Sequence, residues 1–139
     1  MDAMTLCDEA LGRWAREAGA RLLVLFGSAV KGEPGPMGDI DLAVEFAELP
    51  SPRRRLEVIG ELQALVDPRM ADVVFLHRDL DPVLRFEIFR GTRVLFQAEP
   101  ELILEERVRA FREYQDALPF RRLLRSRLSQ MAKEGTLVP

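Results

Sequence analysis

Apolar positions recur along this chain with a spacing that changes several times, and each change marks an element. Leu6, Ala10, Leu11, Trp14 and Ala18 fall three or four residues apart, which predicts an amphipathic helix over residues 5–18. Thr5 and Asp8 suit a capping box at its start, and Gly19 suits its C-terminal exit. Residues 21–26 (Arg-Leu-Leu-Val-Leu-Phe) form a continuous apolar run closed by Gly27, which predicts a short buried strand. Residues 31–38 are dense in Gly and Pro and predict a loop. From 40 to 46 the period drops to two: Ile40, Leu42, Val44 and Phe46 point one way, Asp39, Asp41, Ala43 and Glu45 the other.

The second half continues the alternation of strand and helix. Ser51 as N-cap and Pro52 at the first helical position open a helix with Leu56, Ile59, Leu62, Leu65 and Val66 inward, stopped by Asp67-Pro68. Residues 72–76 predict a third strand. Asp81-Pro82 starts a helix that Gly91 ends, and residues 93–96 predict a fourth, short strand. From Glu101 the pattern is helical to about Ala132, with Pro119 predicting a break between two helices. The expected fold is α/β or α+β: a small mixed sheet backed by helices. One domain is expected over 1–139, with its core at about 5–97 and C-terminal helices at about 100–132.

Composition narrows the function classes. A chain with 47% hydrophobic and 31% charged residues is globular rather than disordered. Its formal charge of −3 gives no whole-protein basic field for nucleic acid. No basic-then-apolar leader is visible at the N-terminus, and the longest apolar stretch is too short for a bilayer, so the expected location is the cytoplasm. The single Cys7 and single His77 exclude any usual zinc site. His77, after the third strand, reads as a surface or turn residue. The sequence has no Asn and far more Arg than Lys, a bias that points to no function.

Candidate chemistry concentrates around the second strand. Asp39 and Asp41, two apart on a strand, share a face and present two anions side by side. Like charges so close are unfavourable unless a cation joins them, and a hard divalent ion is the natural partner. Mg²⁺ binds through one or two carboxylates plus substrate phosphates, which suits a metal–nucleotide complex. Taken alone, Asp-Ile-Asp is equally compatible with two acids exposed to solvent. Gly27-Ser28 alters the balance, because Gly lets a phosphate approach the main chain and the Ser hydroxyl adds a donor. Gly27 to Gly32 has P-loop glycine spacing, but Glu33-Pro34 stands where Lys-Ser/Thr is required.

Gly27-Ser28, a ten-residue spacer and Asp39-Ile-Asp41-Leu together resemble the signature of the DNA polymerase beta-like nucleotidyltransferase superfamily, and the small size resembles its minimal, MNT-type branch. The resemblance is strong over 21–46 and weaker through Asp72 and residues 86–96. It implies the nucleotidyltransferase fold, triphosphate contacts at Gly27 and Ser28, and metal ligation by Asp39, Asp41 and Asp72 as the catalytic acids. It also implies two Mg²⁺ ions and ATP as substrate, with Asp72 helping to deprotonate the attacking hydroxyl. Gly38 departs from the pattern, since the family usually has Ser directly before the first Asp.

The resemblance further implies an antitoxin that transfers AMP to a hydroxyl of a HEPN-type toxin, with homo- or hetero-oligomers as the setting. The region after Phe96 is short and largely helical, so the acceptor is expected from a partner or a second copy. Two alternatives stay open: a catalytically weak nucleotide-binding module that neutralises its partner by masking, and a small-molecule adenylyltransferase. Phe111, Tyr114, Leu118, Phe120, Leu123, Leu124 and Leu128 interleave with Arg121, Arg122, Arg125 and Arg127. The expected arrangement is an amphipathic helix lying on its own sheet with a solvated Arg face; a partner-docking surface is the other reading.

Overall fold

The structure, a computed structural model, describes residues 3–27, 30 and 39–135, with side chains from Cys7 onward. The expectations for Ser28, Gly38, the 31–38 loop and the side chains of Thr5 and Leu6 lie outside the described residues. The elements run α1 (Ala3–Ala18), β1 (Leu22–Phe26), β2 (Ile40–Glu45), α2 (Pro52–Val66), β3 (Ala71–Phe75), α3 (Pro82–Phe89), β4 (Thr92–Gln97) and α4 (Leu102–Lys133). They form a mixed α/β arrangement around one four-stranded sheet of order β3-β2-β1-β4. β1 pairs antiparallel with both β2 and β4, while β2 and β3 run parallel. The parallel pair requires a crossover, and α2 supplies it.

Strand alternation sends side chains to two separate cores. On one face Leu23, Leu25, Ile40, Leu42 and Val44 pack with Leu11 and Ala15 of α1 and with Val58, Leu62 and Val66 of α2. On the other, Leu22, Val24 and Ala43 pack with Ile88 and Phe89 of α3 and Ala110 of α4. Each fully buried Leu contributes roughly 2 kcal/mol of hydrophobic stabilisation. Polar ties fix the helices on the first face. Trp14 Nε1 donates to Glu61 at 2.9 Å, joining α1 to α2, and Arg93 pairs with Asp8 at 3.0 Å, joining β4 to α1.

The predicted caps are present at two helices. Ser51 Oγ accepts from the Arg54 backbone N–H at 3.2 Å, and Asp81 Oδ1 from that of Val83 at 2.7 Å. Gly19 leaves α1 at φ +78°. However, α1 already begins at Ala3, ahead of Thr5, so the Thr5–Asp8 pair does not stand at its N-terminus.

Three expectations change. Leu56 is 71% exposed, and the inward line of α2 is Val58, Leu62 and Val66. Counting back from Leu62 in threes drifts about 60° around the helix per step, which carries Leu56 off the buried side. Pro119 does not divide the C-terminal region, because α4 is one helix with Pro119 inside it. The missing N–H and the ring cost about 3 kcal/mol in a helix interior, and the strong helix formers around Pro119 (Leu, Arg, Gln, Ala) carry the helix through. Finally, α4 lies on the body only through its first half. Tyr114 stacks on Phe86 with ring centroids 4.1 Å apart. Phe111, Phe120, Leu123, Leu124 and Leu128 are exposed, as is every residue from 122 to 135. Among the described residues no helix is long and apolar enough to cross a membrane.

Candidate active site

Three predicted acids come together at one end of the sheet. β1 ends at Phe26–Gly27 there, and the parallel strands β2 and β3 both begin there. Asp41 is paired with Phe26 on one side and with Asp72 on the other. Register partners share a face, and neighbouring strands lie about 4.8 Å apart, so the Asp41 and Asp72 carboxylates project side by side. Asp39 precedes β2 on the same alternation. By parity with Ala43 and Val74 these acids lie on the α3/α4 face, beyond the edge of its core. The row continues through Phe26 to Thr92 of β4, whose hydroxyl accepts from Arg107 of α4 at 2.9 Å.

Gly27 is held against this cluster. Its φ of +76° lies in the left-handed region, which side chains other than Gly rarely adopt. A Cβ built there would sit 2.2 Å from Asp41 Oδ2. The turn therefore brings main chain directly onto a carboxylate, and a Cβ there would both strain the backbone and push the Asp41 carboxylate aside. Steric exclusion by Asp41 is a reason for Gly27 that sequence spacing did not reveal.

Position of the third acid depends on α2. Gln63 Nε2 donates to the Arg69 carbonyl at 2.6 Å, while its Oε1 accepts from the Ala71 N–H at 2.8 Å. Both contacts fall on the segment that leads into Asp72.

Electrostatics mark Asp41 as the strained member. Its carboxyl is pushed above the ordinary range, first by burial, then by the charge of Asp72 and then by that of Asp39. Among the described residues no three His, Cys, Asp or Glu side chains are already gathered tightly enough to hold an ion. The donor set fits a hard divalent cation all the same. It consists only of carboxylate oxygens, and their mutual repulsion is what such an ion would relieve.

A second charged cluster, not foreseen from sequence, lies at the opposite end of the same face. Arg85 of α3 is fully buried and pairs with Glu106 at 3.3 Å and Glu113 at 3.1 Å, both on α4; its guanidinium also donates to the His77 carbonyl. Arg85 Nε lies close to Glu113 without hydrogen-bond alignment. Glu45, at the end of β2, pairs with Arg21 at 3.3 Å, a contact that also lacks good hydrogen-bond alignment. Burial and the neighbouring Glu106 carboxylate push Glu45 up to about 7, against the opposing pull of Arg21 and Arg85. A cavity of about 480 Å³ adjoins this cluster, lined by Arg21, Glu45, His77 and Arg109 among others. His77 is half-buried there, its Nδ1 accepting from the Asp79 N–H, in keeping with a turn role.

Comparisons with known proteins bear on the family and the fold. Residues 14–101 match the family described as polymerase beta, nucleotidyltransferase. A search of curated proteins returns no match. Among solved structures, the chain is similar to a chain of a toxin–antitoxin crystal structure with AMP-PNP, at TM-score 0.76 and 22% identity, covering 88% of this chain and 98% of that one. It is similar to a chain of the MntA–HepT toxin–antitoxin at 0.73 and 21%, covering 90% and 98%. It is also similar to a chain from the Shewanella oneidensis complex of tri-AMPylated HEPN toxin with MNT antitoxin, at 0.71 and 23%, covering 90% and 98%. At these identities the likeness is one of fold.

Proposed function

The chain belongs to the polymerase beta nucleotidyltransferase family, and from that premise we propose that it transfers AMP from ATP, with Mg²⁺, to a hydroxyl of a partner protein. In this reading it is the cytoplasmic antitoxin of a HEPN/MNT-type toxin–antitoxin pair. Support for the pairing comes from the solved complexes of similar fold, one with AMP-PNP and one with an AMPylated toxin. The observation that carries the chemistry is the pairing of Asp41 with Asp72 beside a left-handed glycine turn whose main chain lies against the Asp41 carboxylate.

Asp39, Asp41 and Asp72 are the residues that would hold the metal. Two divalent ions, when bound, supply positive charge to the attacking and leaving oxygens of an in-line displacement. The protein's own contributions are positional and basic. The Gly27 turn admits a phosphate close to main-chain N–H groups, and Ser28 donates a hydroxyl to a phosphate oxygen. The acceptor oxygen bonds to the α-phosphorus while the bridging P–O bond breaks. Pyrophosphate leaves with that electron pair, and Asp72 takes the hydroxyl proton.

Incubation of the chain with α-labelled ATP, Mg²⁺ and the protein encoded beside it tests the reading. Label on the neighbour, lost when EDTA is added, is the expected result. An unlabelled neighbour in the presence of a well-folded, nucleotide-binding chain overturns it.

A further inference from the structure

The line of α4 residues that faces the body continues, unchanged in phase, past the end of the body. Steps of three or four from Leu102 give Glu106, Ala110, Glu113, Ala117, Phe120, Leu124 and Leu128, one meridian of a straight helix. Through Ala110 these residues are buried, and Glu113 is held by Arg85. Beyond the Phe86–Tyr114 stack the same meridian loses its cover: Phe120 is 68% exposed and Leu124 48%. The distal half of α4 is therefore an overhang whose underside is apolar. A helix of that length is marginal in water on its own, and Pro119 weakens its connection to the packed half.

Charge indicates what covers it. Residues 117–133 carry Arg121, Arg122, Arg125, Arg127 and Lys133 and no Asp or Glu. With a whole-chain formal charge of −3, these five positive charges leave −8 on the remainder. Among the described residues, none of the four arginines forms an ion pair with an acid of this chain. Two such overhangs laid together would bring five cations against five, so the segment disfavours a second copy of itself. Arg127 lies within the apolar side, between Phe120 and Leu123 in angle around the helix, which places one cation at the centre of the contact.

We propose that the distal half of α4 is the arm by which this chain docks its partner protein, inserting Phe120, Leu123, Leu124 and Leu128 into an apolar groove rimmed by acidic residues. The assignment rests on the partner reading given above, and it names the surface and the complementary chemistry. An acidic rim meets Arg121 and Arg125, which flank the apolar side next to Leu128, while Arg127 enters with the leucines that fill the groove. Docking also completes the burial of a meridian that is half-buried already.

Two variants of the full chain separate the possibilities: Leu124→Glu/Leu128→Glu, and Arg121→Glu/Arg125→Glu/Arg127→Glu. Affinity for the protein encoded beside the chain is measured by titration calorimetry, alongside circular dichroism, the thermal shift given by ATP with Mg²⁺, and transfer of label. Both variants are expected to weaken the complex at least a hundredfold, with helix content and ATP response unchanged. Wild-type affinity in either variant overturns the docking arm, whether or not label is transferred. Tight docking without transfer by the wild-type chain rejects the proposed reaction and leaves the arm standing. Self-association of the wild-type chain that the leucine variant abolishes, or binding to anionic vesicles or RNA in place of the neighbour, overturns the acidic-groove partner.

Discussion

Two clusters of charge occupy opposite ends of one sheet face, and they are built on opposite rules. At the end where β2 and β3 begin, Asp39, Asp41 and Asp72 share one sign, and mutual repulsion adds to burial in raising Asp41. At the other end the buried Arg85 is enclosed by Glu106, Glu113 and a carbonyl, so that guanidinium has its counterparts within the chain. Glu45, beside Glu106, is held above its ordinary range there. The first arrangement is costly to the folded protein, a cost that a bound cation would relieve; the second holds α3 to α4. In the proposed reading the like-charged acids serve binding and the Arg85 pairs serve architecture, and substitutions should separate the two.

The largest contrast is expected at Asp41. Asp41→Asn should reduce nucleotidyl transfer at least about a thousandfold, because in the proposed reading a ligand to the charge-stabilising ions would be gone. Its melting temperature should equal or exceed that of the parent, since a repelled carboxylate has been removed. A Tm drop of many degrees would mean that Asp41 is structural after all. Arg85→Ala should do the reverse, costing about 3–5 kcal/mol in urea unfolding by stranding Glu106 and Glu113. The KM for ATP of the folded fraction should be unchanged; a large KM effect would merge the two clusters into one functional unit.

Gly27→Ala tests the contact between turn and acid. The left-handed φ costs about 1–2 kcal/mol for a residue with a Cβ. Displacement of the Asp41 carboxylate should lower transfer roughly a hundredfold. Activity near the parent value would show that the turn relaxes freely. The smallest effect is expected from Glu45→Gln. Because the folded protein holds the Glu45 proton up to about 7, ionisation opposes folding, and stability should fall as pH rises from about 4.5 to 7. The glutamine variant should be more stable by about 1–2 kcal/mol at pH 8 and lose that advantage below pH 4.5. Parallel stability curves across that range would remove Glu45 from the titration.

Local signals made much of this legible in the sequence. The period-two run placed Ile40 and Asp41 on opposite faces, and the Ser51-Pro52 and Asp81-Pro82 pairs marked two helix starts correctly. Asp72 was found at a strand start, but its pairing with Asp41 depends on a parallel register that no local pattern encodes. Arg85 was missed for the same reason: its acids lie a helix and a strand further along the chain, and an isolated Arg reads as surface. Leu56 and Pro119 show the opposite failure. At Leu56 an every-third-residue count drifts off the buried side of α2, and at Pro119 the strong helix formers on either side overrode a sound local rule.

Gln63 gains meaning in this light. Its amide grips the chain on both sides of Met70, just before Asp72 enters the sheet. Side chains along a strand switch sides with every residue, so a slip of a single position would turn Asp72 toward α2 and offer Asp41 an alanine or a valine instead. One neutral side chain in the crossover helix thus works as a ratchet pawl, and the spacing of the acid cluster inherits its accuracy from a residue that bears no charge.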